Sequence, residues 1–353
     1  MPQRATVTIR EVARAAGVSV TTASRVLNQS PTVIPVSSST KERIRHAAAQ
    51  LGYQPNLLAR ALRSRQTHLL GCLFADMTDP FLHPVAQAAQ RTAWERGYRL
   101  LSADTAEQPQ EVVAGSEVFD RALVDGMFIL GAMLDEAPDA VEQVIQNYPC
   151  VVAFGRGGGD HPVSVGVDNE LGARLLLNHL YGLGHQRIAY LGCQRNPDMR
   201  VRRATYTTFL REQNLTCPEA YVRDEPMLDF ADGYRALRTL LAVRPRPTAV
   251  FAANDRMAIG ALRAAAEMGV RVPEELSLGG FDGLNVAAFI QPPLTTVRQP
   301  VEQIGQLAVQ LLIEIVEGQV DPAQAPQVLL PPELIVRSST GPYEEGGSMT
   351  SEM

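Results

Sequence analysis

IREVARAAGVSVTTASRVLN, residues 9–28, is the stretch from which the fold can be worked out. Thr8 and Glu11 have the spacing of a helix capping box, and apolar residues recur behind them at helical spacing. Gly17 ends this first helix, and a second helix is predicted over residues 20–27. Two short helices joined by a glycine turn within about 20 residues predict a helix-turn-helix arrangement.

The second helix of such an arrangement lies in the major groove of DNA, with its N-terminal side chains on the base edges. Here these side chains are Val20, Thr21 and, one turn later, Arg25, which can bond a guanine in bidentate fashion. The alternative is a purely structural helical hairpin, which can share the same capping box and glycine turn. Charge favours DNA: residues 1–65 carry a balance of +8 and the remaining residues −14, so a basic head precedes an acidic body.

The rest of the head reads as a loop, a third helix and a linker. Pro31 and Pro35 exclude a helix from the loop, and a third helix begins at the serines before Thr40. Residues 57–64 have helical potential, but a segment this short is not a stable helix alone in water. We expect it to order only on a partner.

From residue 69 onward, apolar runs of strand length alternate with longer helical patterns, which predicts βαβ units and parallel sheets. About ten strands are expected, too many for one small sheet, so we predict two doubly wound lobes. Ligands bind such sheets at the carboxyl ends of the strands. The clearest strand segments are LLGCLFAD (69–76), YRLLSAD (98–104), DGMFILGA (125–132), CVVAFGR (150–156), VSVGVD (163–168), RIAYLGC (187–193), TAVFAAND (248–255) and LSLGGFD (276–282).

Composition excludes several classes of protein. The chain has 353 residues, 45% hydrophobic and 20% charged, which is typical of a globular protein with two or three domains. It has no apolar leader and no 18-residue apolar run, so we expect neither export nor a membrane span. Its four cysteines form no C-x-x-C pair, which indicates reduced thiols and a cytoplasmic protein. Motifs for phosphate loops, nucleophile elbows and metal-binding histidines are absent from the sequence, so we expect no enzyme activity, no metal and no cofactor.

The opening motif, LGYQPNLLARALRSRQT (51–67) and an ordered series of body motifs resemble the lactose-repressor (LacI/GalR) family. The body motifs include VVAFGR (151–156), VGVDNELGA (165–173), LGHQRIAYLG (183–192), FAANDRMAIGAL (251–262) and PPLTTVRQP (292–300). The resemblance covers about residues 7–339. It implies a small all-α helix-turn-helix headpiece (1–55), a hinge helix (56–66), an α/β body of two lobes like periplasmic binding proteins, with parallel doubly wound sheets (67–339), and a disordered tail (340–353).

The resemblance also implies DNA contacts for particular residues. Leu62 matches the leucine that wedges into the central base step, where unstacking is offset by contacts to bent DNA; the alternative is a linker residue that packs on the body. The loop after Asn28 is about three residues longer than the commonest family form. The implied DNA-binding residues are Ser19, Val20, Thr21, Thr22, Ser24, Arg25, Asn28, Tyr53, Asn56, Ala59 and Leu62.

For the body, the resemblance implies a ligand held between the lobes by Arg202, Asn254 and Asp282. Such a trio can bond adjacent sugar hydroxyls, and an aromatic face can cover the apolar side of a sugar. Thr205 stands where the family usually has glycine, and Gly155 where some members have a ligand-binding aspartate. The full implied set is Asp79, Phe81, Phe154, Arg156, Arg202, Phe230, Asn254 and Asp282. The alternative for a strand-end Asp or Asn is a helix cap, which we favour for Asp168-Asn169.

The leading interpretation is a transcriptional regulator, most simply a repressor, whose homodimer binds a pseudo-palindromic operator. A small molecule between the lobes, a sugar that releases DNA or a corepressor such as a purine, controls its affinity. Two other classes stay open: a cytoplasmic sugar-binding protein with a vestigial headpiece, and an enzyme of the doubly wound class.

Overall fold

The computed structural model describes residues 7–27, 36–53, 66–106, 108, 111–117, 119, 123–131, 138–154, 163–325 and 327–343. The chain divides into two compact units, an N-terminal unit of residues 1–67 and a body of residues 68–353. The helices of the described residues are α1 Ile9–Ala15, α2 Val20–Leu27, α3 Ser38–Leu51, α4 Leu82–Glu95, α5 Glu111–Glu117, α6 Pro138–Asn147, α7 Asn169–Gly182, α8 Pro197–Glu212, α9 Phe230–Leu241, α10 Asp255–Glu267 and α11 Val301–Val316. The strands are β1 Leu69–Phe74, β2 Arg99–Asp104, β3 Gly126–Leu130, β4 Cys150–Ala153, β5 Ser164–Val167, β6 Ile188–Gly192, β7 Val222–Asp224, β8 Ala249–Ala252, β9 Ser277–Asp282, β10 Thr295–Arg298, β11 Val328–Leu330 and β12 Glu333–Ile335.

The described residues of the N-terminal unit form three helices around a small apolar core. The Glu11 carboxylate accepts the Thr8 backbone N–H at 2.6 Å, as the capping box predicts. Gly17 follows α1 with φ +62°, a conformation that glycine adopts without strain, and α2 spans the predicted residues. The buried residues of this unit are Val12, Ala13, Ala16, Ala23, Val26, Ile44, Ala47 and Ala48. The predicted hinge lies almost wholly outside the described residues.

The body contains two six-stranded sheets, each with helices on both faces. The first has the order β11-β5-β4-β3-β1-β2 and the second β12-β10-β9-β8-β6-β7. The predicted strand segments all form strands. Four strands were missed because none of them shows an apolar run of strand length: β7, β11 and β12 have only three residues each, and β10, TTVR, has one apolar residue. The structure confirms the predicted parallel sheets, and a single edge pair differs, because β12 runs antiparallel to β10.

The first lobe comprises the first sheet with α4, α5, α6 and α11, and the second lobe the second sheet with α7 to α10. The chain passes between the lobes three times: after β5, after β10 and between β11 and β12. Neither lobe is therefore a continuous stretch of sequence, and three connections join the two lobes. Within the described ranges, no helix is long and apolar enough to cross a membrane.

The structure corrects the predicted end of the body. The tail was expected from residue 340, but the Tyr343 backbone N–H donates to the Leu183 carbonyl at 2.8 Å. The Tyr343 hydroxyl accepts from the Arg187 guanidinium at 2.8 Å, and its ring stacks on His185. An aromatic anchor on the second lobe therefore extends the body to Tyr343. Residues 344–353 lie outside the described residues.

His185, which holds this C-terminal segment, gives a pH-dependent prediction. Its Nε2 lies 3.1 Å from the Gly341 carbonyl, which can only accept, so Nε2 carries the proton of the neutral ring. Burial lowers the pKa of His185 to about 4 from its ordinary 6.5. Because the unfolded state binds the proton more tightly, the free energy of unfolding falls as the pH drops from about 6.5 to about 4.

Between pH 7 and pH 4.5, we expect wild-type protein to lose roughly 2–3 kcal/mol more unfolding free energy than His185→Gln, which keeps one donor and one acceptor but does not titrate. Urea unfolding at the two pH values measures the difference. Equal losses in the two proteins would contradict a neutral buried imidazole.

Candidate ligand cavity and nucleic-acid-reading helix

A cavity of about 370 Å³ lies between the lobes at the carboxyl ends of the strands. It lies where the strand order reverses, beside β1 and β3 in the first lobe and β6 and β8 in the second, which is where doubly wound sheets bind ligands. Its size is within the range of small-molecule sites. Its walls are formed by Ala75, Asp76, Asp79, Phe81, Leu82, Thr105, Ala106, Gln108, Val112, Gly131, Phe154, Cys193, Arg195, Asn196, Asp198, Met199, Arg202, Pro226, Met227, Leu228, Asn254, Arg256, Asp282 and Gln299.

Arg202, on α8, lines the cavity and is only 2% exposed. Its Nε donates to Asn169 Oδ1 at 2.7 Å, and its Nη1 donates to the Ala253 carbonyl at 2.6 Å. The guanidinium lies 3.5 Å from the centre of the Phe281 ring. Bonds from two elements and an aromatic face fix its orientation, so the residue is pre-organised to meet a polar ligand.

Asp282, the last residue of β9, faces Arg202. Its Oδ1 lies 3.7 Å from Arg202 Nη1 and accepts from Gln299 Nε2 at 2.8 Å. Its backbone has φ +120°, which a residue with a side chain rarely adopts, and strain of this kind concentrates at ligand sites. The Gln299 backbone N–H, which donates to the Asp282 carbonyl at 3.2 Å, helps to hold this conformation.

Burial dominates the electrostatics of the pair. It raises the pKa of Asp282 well above its ordinary value, and the Arg202 charge opposes that shift. It lowers the pKa of Arg202, opposed by Asp282. Each charge therefore depends on the other, because an unpaired charge in this position would be strongly destabilised.

The first lobe supplies the aromatic wall. Phe81 and Phe154 pack edge to face with ring centres 4.9 Å apart, and Phe154 also has a positive φ of +62°. Asp79 lies beside them, and its Oδ1 accepts the Phe81 backbone N–H at 2.8 Å. The cavity thus has an aromatic side on one lobe and a charged side on the other, an arrangement that suits a molecule with hydroxyl groups and an apolar face.

Asn254 lines the cavity and is also a helix cap, the alternative role of an Asn at a strand end. Its Oδ1 accepts the Met257 backbone N–H at 2.8 Å as the cap of α10, and its Nδ2 donates to the Leu228 carbonyl at 2.9 Å. Asp168 caps α7 through Leu171, as favoured from the sequence. Its neighbour Asn169 does more, because it orients Arg202.

Six of the eight predicted ligand residues line the cavity: Asp79, Phe81, Phe154, Arg202, Asn254 and Asp282. Phe230 does not: Asp229 caps α9, so Phe230 falls in the first helical turn, where it is 47% exposed. Met227 and Leu228 form that part of the wall instead. Arg156 lies outside the described residues. Thr205 leaves the helix intact, because α8 continues through it.

Two cavity residues, Gln299 and Arg256, were not among the predicted ligand residues. Gln299 follows β10 at a crossing between the lobes, is 2% exposed, and its Oε1 has no hydrogen-bond partner among the described residues. A buried acceptor of this kind is costly unless a donor meets it. Arg256, in the first turn of α10, reaches Asp79 across the cleft. Both residues lie within quoted motifs, but their roles depend on partners in other elements, so only the folded arrangement reveals them.

The N-terminal unit presents α2 as predicted. Ala23 and Val26 are buried in its core, whereas Thr21 and Arg25, one turn apart, are exposed, and Val20 is exposed beside them. A helix with one face in a core and an exposed face of this composition can enter a major groove.

The remaining residues of the predicted DNA surface fall into two groups. Ser19 caps α2 by accepting the Thr22 backbone N–H at 3.1 Å, Thr22 and Ser24 are half-buried, and Tyr53 packs partly against the core. The other four, Asn28, Asn56, Ala59 and Leu62, lie outside the described residues.

The chain matches two known families of domain. Residues 8–56 match the model of bacterial regulatory proteins of the lacI family, and residues 177–340 match the periplasmic binding protein-like domain. The ribose operon repressor of Escherichia coli K12 is 33% identical over 310 residues, covering 87% of this chain and 92% of that protein. The transcriptional repressor PurR of Erwinia tasmaniensis is 34% identical over 348 residues, covering 96% and 98%.

Among solved structures, the Lac repressor dimer bound to operator and the anti-inducer ONPF matches with a TM-score of 0.83 and 30% identity, covering 96% of this chain and all of that one. These relatives are DNA-binding repressors and not enzymes. The exposed helix, the two lobes and the near full-length matches lead to one conclusion: the chain belongs to the lacI family of bacterial regulatory proteins.

Proposed function

We propose that this protein is a transcriptional repressor that acts in the cytoplasm as a homodimer. Its two copies of α2 read a pseudo-palindromic operator, and a sugar in the cavity between the lobes controls operator affinity. The observation that carries the proposal is the buried Arg202–Asp282 pair, held at the cavity by partners from several elements. Paired ionic groups aimed into a cleft beside an aromatic wall suit directional bonds to sugar hydroxyls.

Gln299 extends the proposed ligand set. Its buried Oε1 can accept from a sugar hydroxyl while its Nε2 stays bonded to Asp282. Together with Arg202 and Asp282, it supplies both donors and acceptors, as a polyol requires.

The dimer has support on the surface of the second lobe. Phe289, which follows the 3₁₀ turn Asn285–Ala288, is 87% exposed, and Val286 in that turn is exposed as well. An aromatic side chain this open is typical of an association surface. The Lac repressor that this chain matches is a dimer.

A two-step experiment tests the proposal. Selection from a random DNA library should enrich an inverted repeat, because a two-fold dimer binds two half-sites. A thermal-shift screen with D-ribose, cellobiose, cytidine and guanine should then find a sugar that raises the melting temperature by about 5–10 °C at 100-fold excess over its Kd. That compound should change the affinity for the selected duplex by about 5- to 150-fold.

Failure to enrich any sequence, with or without these compounds, would contradict the proposal. Stabilisation by guanine alone, with tighter DNA binding, would replace the sugar-released repressor by a corepressor-dependent one.

A further inference from the structure

An ion pair joins the two lobes directly across the cavity. Arg256 Nη1, at the start of α10 in the second lobe, donates to Asp79 Oδ2, just before α4 in the first lobe, at 3.2 Å. Both side chains are about one-fifth exposed, so water screens the pair less than it would at the surface.

The first-lobe end of the pair is fixed by its own turn. Oδ2 of Asp79 accepts from Arg256, and Oδ1 accepts the Phe81 backbone N–H. The Asp79 backbone carbonyl accepts the backbone N–H of Leu82, the first residue of α4. A pull on this carboxylate is therefore a pull on the start of α4.

The second-lobe end is equally well anchored. Asn254 caps α10, and Asp255 accepts the Leu284 backbone N–H at 2.7 Å and the Thr296 hydroxyl at 2.6 Å. Arg256 therefore projects from a helix start that is bonded to the segment after β9 and to β10. The ion pair connects two rigid elements, one in each lobe.

The pair also lies where a ligand must meet it. Asp79 and Arg256 both line the cavity, and the buried Nε of Arg256 has no hydrogen-bond partner among the described residues. Burial raises the pKa of Asp79, and the nearby Arg256 charge opposes that shift. Arg256 thus favours the ionised carboxylate and supplies a donor to anything that binds beside it.

We propose that Asp79 and Arg256 form a clasp through which the cavity sets the arrangement of the lobes, and that Arg256 is a positioning residue acting through Asp79. The inference rests on the proposed function and adds the contact that links ligand to lobe movement. A ligand that bonds either side chain changes the clasp, and the change reaches the first lobe, whose β1 begins directly after the N-terminal unit.

The direction of the effect follows from the matched structure. The chain superimposes on an operator-bound repressor with a TM-score of 0.83, so the clasped arrangement is taken as the one that binds operator. Opening the clasp should weaken operator binding with no small molecule present.

The test compares Arg256→Gln, Arg256→Lys, Asp79→Asn and the double variant Asp79→Asn/Arg256→Gln. Arg263→Gln is the matched control, because Arg263 lies on the same helix and pairs with Glu267 within the second lobe. Fluorescence anisotropy with the duplex selected by wild-type protein gives operator affinity, and hydrogen exchange of the free protein reports on residues 76–82.

We expect R256Q to weaken operator binding about five-fold or more, R256K to restore part of the loss, and R263Q to stay within about two-fold of wild type. The double variant should bind like D79N alone, because Arg256 acts through Asp79. Exchange at residues 76–82 should be about ten-fold faster in R256Q than in R263Q.

Unchanged exchange in R256Q would overturn the clasp whatever the DNA results. The clasp would also be overturned if R256Q bound operator as tightly as wild type. The same holds if R256Q weakened operator binding as much in the D79N background as it does in wild type. A wild-type protein that selects no duplex yet shows the exchange difference would refute the repressor and leave the clasp established, so the two failures are distinguishable.

Discussion

Replacing Asp282 by asparagine is expected to remove the response to the small molecule while leaving operator binding in its absence within about two-fold of wild type. Asparagine tolerates a positive φ and can still accept from Gln299, so the local backbone is retained. The carboxylate that faces Arg202 is lost, however, so the free energy of unfolding should fall as well, and binding is measured at a temperature at which the variant stays folded. A hydrogen bond to a charged group contributes about 1.5–3 kcal/mol, so ligand affinity should fall about 10- to 150-fold.

Isothermal titration with the compound chosen by the thermal screen measures this loss, and operator titration with and without the compound measures the response. Asp229→Asn is the matched control, because Asp229 caps α9 outside the cavity wall and asparagine caps equally well. An undiminished response in D282N would remove Asp282 from the ligand site.

Replacing Arg25 by alanine should weaken binding to the selected duplex by about 1–3 kcal/mol, or about 5- to 150-fold, and relax the preference at one base pair of each half-site. Arg25 is exposed on α2, whose opposite face is buried through Ala23 and Val26, so the helix itself should stay folded. Non-specific affinity should change much less, since it depends on phosphate contacts.

Binding to a library of single-base variants of the selected duplex separates the two kinds of loss. Arg10→Ala is the control, because this substitution removes the same charge from an exposed residue that lies on α1 rather than on α2. If R25A lost the same affinity for every sequence, Arg25 would be a phosphate contact and not a base reader.

The sequence predicts the N-terminal unit closely because its signals are local. The Thr8–Glu11 capping box and Gly17 act within one or two helical turns, and the structure confirms α2 at the predicted residues. Strands of five or six residues, such as β1 and β9, are equally readable from their apolar runs. Edge strands of three residues bury too little to leave a pattern.

The cavity was predictable in outline and not in detail. Asp282 and Arg202 come together as the resemblance implied, although α8 and β9 are far apart in the chain. Gln299 and Arg256 could not be found, since their roles depend on a partner in another element. Phe230 was predicted to line the cavity but does not. The N-cap at Asp229 places Phe230 in the first, exposed turn of α9, and alignment of motifs does not include that effect.

The order in which the two lobes can be completed during synthesis follows from the three passages of the chain between them. In the first lobe, α4 packs against α11, which follows it by about 200 residues. The N-terminal unit and the strands β6 to β10 therefore leave the ribosome before the first lobe has all of its core, and domains fold as units in the order in which they emerge. A product truncated before residue 301 keeps α2 but lacks α11, so we expect it to carry the exposed helix on a body whose first lobe stays incomplete.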